Sequence, residues 1–281
     1  MLGKLNWPKK ALPYRMSEEQ IEGLTPEEQE QLLTLGAVPE PVDRPVLGRM
    51  RIDLHCHSEA SPDSSTPLEL FPTRCRERLI SVQAITDHNQ IWGAQKLKEL
   101  VEEKTQPEGW RLTVIVGEEI STRQGEIIGL FLQEKIEAGL SPEETVDQIK
   151  AQGGLVLLPH GFDPLKRWRL MPQAVERIAG AIEIVETFNA RISRLHWNRA
   201  AVEWALAHGA LMSAGSDAHT LKDIGSAWVE VDYQAIREPQ DLLVALQAGI
   251  PEGEWTHPVI AYAYKVLDRA RRRLGGSQGR G

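Results

Sequence analysis

From about Arg49 onward, short apolar runs rich in β-branched residues alternate with helix-like stretches, and ionisable residues gather just past the C-terminal end of each run. This rhythm constrains the chain more than any other feature. Strands are expected over 50–54, 82–86, 112–116, 127–132, 154–158, 182–185, 211–214 and 228–231. Helices are expected over 66–79, 90–103, 193–208 and 238–248, with another opened by Ser141-Pro142-Glu143-Glu144 and stopped at Gly153-Gly154. Ser141 with Glu144 has the spacing of a capping box, and Gly209 is placed to end the helix before it. Strands and helices in alternation build a mostly parallel sheet covered by helices. This many units favour a closed or nearly closed barrel.

The polar residues sit where such a sheet builds its sites. The first strand runs into His55 and His57, the second into Asp87 and His88, and the third into Glu118 and Glu119. Later strands run into His160, into Glu186 and Asn189, and into Asp217 and His219. The C-terminal ends of parallel strands are the face on which barrels and open sheets carry chemistry. Side chains two apart share a face of extended chain, so His55 and His57 can address one ion while Cys56 points away. Asp217 and His219 repeat that spacing. Alternation admits one of Glu118 and Glu119 to the inner face, and spacing leaves open which. Imidazole with carboxylate and no thiolate suits Zn, Mn or Fe(II). His196, His208 and His257 lie away from strand ends and are read as helix or tail residues; Cys56 packs behind the site and Cys75 in a helix core. Arginine's planar fork matches phosphate oxygens, which makes Arg167 and Arg191 the candidate phosphate contacts.

Composition narrows the partners. A formal net charge of -8 over 281 residues argues against a broad grip on DNA or RNA. Two cysteines make no disulfide framework. No apolar run is long enough for a bilayer and no signal-peptide stretch opens the chain, so no membrane association and a cytoplasmic location are expected. Three segments are drawn: a Pro-rich extension over 1–49, with capping boxes at Ser17 and Thr25 and a linker over 40–45; a barrel domain over 50–250; and a basic C-terminal helix and flexible tail over 251–281.

Taken in order, His55-x-His57, Asp63, Thr86-Asp87-His88, Gly117-x-Glu119, Pro159-His160, Glu186-x-x-Asn189 and Ser216-Asp217-Ala218-His219 resemble the PHP family, named for polymerases and histidinol phosphatase. The resemblance runs over 51–231. It implies an α/β fold, a distorted (β/α)7 barrel with two or three divalent metals (Mn, Fe or Zn) at the C-terminal ends of the strands, and it selects Glu119 over Glu118. By position, His55, His57, Glu119 and Asp217 would hold one metal. Glu119 would bridge to a second held with His160 and Glu186, and Asp63, His88 and His219 would hold a third. Asp63 and Glu186 stand where His-rich members carry histidine, which shifts preference from zinc toward manganese or iron. The implied activity is metal-dependent hydrolysis of small phosphate esters, nucleotide or sugar phosphates, by a hydroxide bridging two ions. Glu119, Asp217, His219 and Arg191 would be catalytic, with Arg191, Arg167 and Asn189 on the substrate and His219 or His88 protonating the leaving group. The rivals are a 3′-5′ exonuclease or oligonucleotide hydrolase, and a non-catalytic interaction module. A ligand-type residue at every matched position favours an enzyme, and the acidic balance disfavours long nucleic acid.

Overall fold

The computed structural model describes residues 48–103 and 111–259, the short pairs 15–16 and 38–39, and residue 266. The capping boxes at Ser17 and Thr25, the linker over 40–45 and the tail past 259, apart from residue 266, lie outside the described residues. Two short strands, β1 (Arg15–Met16) and β2 (Val38–Pro39), pair in parallel. The main sheet holds β3 (Arg49–Asp53), β4 (Ile80–Ile85), β5 (Thr113–Thr122), β6 (Gly125–Leu130), β7 (Leu155–Leu158), β8 (Ile184–Asn189), β9 (Leu211–Gly215), β10 (Ala227–Asp232) and β11 (Ile250–Gly253). Their order is β11-β10-β3-β4-β5-β6-β7-β8-β9. Around it lie α1 (Phe71–Glu77), α2 (Trp92–Glu103), α3 (Pro142–Ala151), α4 (Pro172–Ile178), α5 (His196–His208) and α6 (Pro239–Leu246).

Local chemistry sets these elements. At α3 the Ser141 hydroxyl accepts from Glu144 N–H and the Glu144 carboxylate accepts from Ser141 N–H, the reciprocal pairing expected from sequence. Gly209 ends α5 at φ 69°. Strand alternation divides the apolar residues into two cores. Ile52, Ala84, Ile115, Ile128, Leu157, Ile184 and Ala214 fill the barrel interior, whereas Ile85, Val114, Val116, Val156 and Val185 pack outward against Leu97, Ile149 and Ala201 of the helices.

Two departures from a regular barrel matter. β5 is twice the expected length: it pairs in parallel with β4 up to Val116 and antiparallel with β6 from Gly117. The run over 127–132 is therefore the return arm of a hairpin through Arg123 and Gln124, not a βα unit of its own. β10 is also antiparallel to β3. Sequence periodicity missed α4, only seven residues long, and β11, where Pro251 and Gly253 depress strand propensity. Pro251 is tolerated because β11 pairs on one side only, with β10.

The sheet closes where β3 and β9 run out. Leu54 N–H donates to the Ala214 carbonyl, Asp217 N–H to His55, and His57 N–H to Ala218, at 3.3, 2.8 and 3.0 Å. The buried Asp53 carboxylate accepts from His55 N–H (3.2 Å), Ser216 N–H (3.0 Å) and the Ser216 hydroxyl (2.6 Å). Burial pushes the Asp53 carboxyl up to about 6, against those donors. Asp53→Ala would leave buried donors unpaired, each costing about 1–3 kcal/mol. Urea unfolding of that variant should show a loss of roughly 2–4 kcal/mol, and Asp53→Asn, which keeps an acceptor, a smaller one. Equal stability of Asp53→Ala and the parent chain would remove Asp53 from the closure.

Candidate metal centre

The closure carries the site. His55 and His57 extend from β3 and Asp217 and His219 from β9, each pair two residues apart and facing the same pocket. Glu119 enters from β5, just beyond its parallel ladder with β4, and Glu118 turns outward to accept Ile136 N–H at 2.8 Å. Four donor atoms converge. His55 Nε2 lies 3.2 Å from His57 Nε2, 3.4 Å from Glu119 Oε2 and 3.8 Å from Asp217 Oδ1. His57 Nε2 lies 3.3 and 3.5 Å from the same two carboxylate oxygens. Tetrahedral ligands on bonds of about 2.1 Å stand about 3.4 Å apart, which the separations from the two imidazole nitrogens resemble.

Two further groups adjoin it. His160 Nε2 meets the other Glu119 oxygen at 3.1 Å, so this carboxylate faces two donor groups. His88 and His219 flank His57, with ring centroids 4.6 and 4.4 Å from its ring, and Asp63 meets His219 Nε2 at 2.8 Å and His88 Nε2 at 3.8 Å. His88, Glu119 and Glu126 form another convergent group. Glu126, which the sequence did not single out, is the second residue of β6, and its carboxylate lies 3.5 Å from His88 Nδ1.

Other expected site residues stand behind these donors. Both Glu186 oxygens are engaged: Oε1 with His55 Nδ1 (3.0 Å), Oε2 with His160 N–H (2.7 Å) and Asn189 Nδ2 (3.0 Å). Among the described residues Glu186 enters none of the convergent groups; its bond to Nδ1 orients the His55 ring so that Nε2 faces the cluster. Asn189, expected on the substrate, is fully buried and links Glu186 to Asp217 Oδ2 (3.3 Å). Gly215 makes room for this pairing, since a Cβ there would collide with Glu186 Oε1. His160 (φ 29°) and Asp217 (φ 48°) hold left-handed backbone, strain of the kind that collects at functional sites. Arg191 Nη1 donates to the Asp217 carbonyl (3.0 Å) and meets His219 Nδ1. Arg167 is exposed and packs over Trp168, while its neighbour Lys166 reaches Asp217 Oδ2 at 2.5 Å.

The pocket favours positive charge. Burial opposes a charged His55, yet Glu186, Glu119 and Asp217 outweigh it and hold its pKa well above the ordinary value. Burial likewise opposes ionised Asp217, and Lys166 and His55 overcome it. Burial, then the nearby Glu119 charge, pushes Glu126 up to about 10. Burial, with His57 and Arg191 beside it, lowers His219 to about 3, and burial lowers His88; both imidazoles are neutral near pH 7 and offer lone pairs. This donor set fits divalent cations.

Comparisons with known proteins agree. The profile of the family described as PHP domain matches residues 53–183, and that described as PHP-associated matches 196–250. An uncharacterized protein of Methanocaldococcus jannaschii is 36% identical over 196 residues, 69% of this chain and 75% of that one. A two-domain protein from Bacteroides vulgatus, containing a predicted PHP-like metal-dependent phosphoesterase, superposes with a TM-score of 0.55 at 17% identity. The match covers 72% of this chain and 64% of that one, under two thirds of its length. Endonuclease Q, solved with a 27-mer duplex bearing an abasic lesion, has a TM-score of 0.51 at 13% identity, covering 75% of this chain and 60% of that one.

Mn(II) added to chelator-stripped protein should raise its Tm. Mass action supplies about 2.7 kcal/mol at roughly 100 times Kd. Asp217→Asn should lose most of that gain, and Glu126→Gln should retain fewer ions by elemental analysis. A Tm indifferent to Mn(II), Fe(II) and Zn(II) in the parent protein would contradict the centre.

Proposed function

The chain belongs to the PHP family, and on that footing we propose that it is a metal-dependent phosphoesterase that hydrolyses small phosphate esters, nucleotide or sugar phosphates. The observation that carries the proposal is the convergence of His55, His57, Glu119 and Asp217 on one ion-sized position, with Lys166 and Arg191 at its edge. His55, His57, Glu119 and Asp217 would hold one cation, Glu119 and His160 a second, and Asp63, His88 and His219 a third, with Glu126 beside His88. Bound divalent metals supply Lewis acidity and lower the pKa of water.

The chain's own residues do the rest. Glu186 orients the His55 ring through Nδ1, and Asn189 steadies Glu186 and Asp217 together. Arg191 and Lys166 are placed to neutralise phosphoryl oxygens as charge builds in the transition state. Both lie against Asp217, so a phosphoryl group at the cluster meets two cations from separate segments of chain. Endonuclease Q makes a nucleic-acid strand the rival substrate, but at 13% identity it lends only its fold. The formal charge of -8 favours the small ester, because counterion release on strand binding needs a basic face.

Mn(II)-loaded protein should hydrolyse phosphomonoesters faster than single-stranded DNA. Arg191→Ala should lower kcat/KM on the best substrate by on the order of a hundredfold, the loss of about 2–4 kcal/mol of transition-state stabilisation, with metal content unchanged. Efficient digestion of DNA beside poor turnover of every monoester would move the assignment to a nuclease.

A further inference from the structure

The segment over 161–171, between β7 and α4, exposes large apolar side chains: Leu165, Trp168 and Met171 are 68%, 54% and 51% accessible. Hydrogen bonds set its path. The fully buried Asp163 carboxylate accepts from Leu165 N–H (2.9 Å) and Ser193 N–H (2.7 Å). Downstream, Glu126 N–H donates to the Trp168 carbonyl and Met171 N–H to the Gln124 carbonyl, both at 2.8 Å. Gly125 between them permits the contact, since a Cβ there would strike the Arg169 backbone. The loop is thus bonded to the hairpin that carries Glu126 into the metal centre. Two residues before Trp168, Lys166 reaches Asp217 of the same centre.

A half-exposed indole on the loop that carries Lys166 to Asp217 has a chemical use. The Arg167 guanidinium sits 4.8 Å from the Trp168 ring centroid, which turns the indole and its cation into a combined π and charge surface. Every nucleobase has a π-face, and base-on-aromatic stacking is sequence-tolerant. We propose that Trp168, braced by Arg167, is the platform on which the base of a nucleotide substrate stacks while Lys166 and the metal centre take its phosphate. This deepens the phosphoesterase proposal, and rests on it, by choosing nucleotides over sugar phosphates. Continuity with the centre distinguishes this patch from a docking surface for protein, since the same loop supplies both Lys166 and Trp168.

The test compares adenosine monophosphate with ribose phosphate, which share a phosphate and a pentose and differ in the base. With the full Mn(II)-loaded chain, Trp168→Ala should raise KM for the nucleotide roughly tenfold or more, the worth of one stacked base. It should leave kcat near the parent value and KM for ribose phosphate unchanged, and Trp168→Phe should restore most of the nucleotide KM. An equal change on both substrates, or none on the nucleotide, overturns the platform. So does a shift in oligomeric state by light scattering with both KM values unchanged, which would assign the loop to self-association. If neither ester is hydrolysed, the phosphoesterase reading fails by itself. Calorimetric binding of the same two compounds then decides the platform: a preference for the nucleotide that Trp168→Ala erases upholds it, and equal affinity overturns it.

Discussion

The buried Asp53 carboxylate ties the end of β3 to the end of β9, and the metal centre depends on the register of that tie. Three backbone hydrogen bonds lie directly beyond it, joining Leu54, His55 and His57 to Ala214, Asp217 and Ala218. These two segments provide His55, His57, Asp217 and His219. A slip of one residue would turn each segment over. Cys56 and Ala218, now packed outward in the helical core, would then face the ions. A deeply buried carboxylate is an expensive way to join two strands, but Ser216 and His55 supply it with three donors, and few alternatives fix position and direction together.

Beyond that tie the centre works against stability. Glu119, Asp217, Glu186 and Glu126 are almost wholly buried and share one pocket with five imidazoles. Gathering carboxylates in low dielectric is costly unless cations answer them. Lys166, Arg191 and the raised pKa of His55 give a partial answer, and the raised pKa of Glu126 marks where the answer falls short. Divalent ions would complete it, so their binding energy also becomes energy of folding. A pocket built for stability alone would hold apolar residues here. The left-handed backbone at His160 and Asp217 points the same way, since it adds strain where only ligand geometry gains.

Much of this was legible in the sequence. The His-x-His and Asp-x-His pairs follow from strand periodicity, and the capped start of α3 follows from Ser141 and Glu144. Glu126 was hidden for a definite reason. The search for polar residues at the C-terminal ends of strands presumes that all strands run alike, whereas β6 runs antiparallel to its neighbours and reaches the rim with its first residues. The Thr122–Gly125 turn was the available signal, but it lacks the Asn-Gly or Asp-Gly pair that marks tight hairpins. Asp53 left a fainter trace as the lone acid inside an apolar strand. Arg167 was expected at the phosphate, whereas Lys166 is the residue that reaches Asp217, because in an irregular loop no period says which side chain turns inward. Glu186 and Asn189 stand in the site by position, and only the hydrogen-bond pattern separates a residue that orients a ligand from one that is a ligand.

The two classes of site residue hang on the fold in different ways. Candidate metal donors such as His55, Glu119 and Asp217 are fixed by strand ladders or by the closing bonds between them, and moving one disturbs the barrel. Lys166, Arg167 and Trp168 belong to a loop anchored by Asp163 and by two bonds to the edge of the β5–β6 hairpin. Their side chains can be exchanged with no loss of ladder hydrogen bonds. Selection can therefore alter what the rim recognises while the chemistry beneath stays constant, which is how one barrel can serve unlike phosphate esters. Within such a design a shared fold predicts the reaction better than the substrate. On the proposed reading, the residues that decide the substrate are those that the sheet does not need.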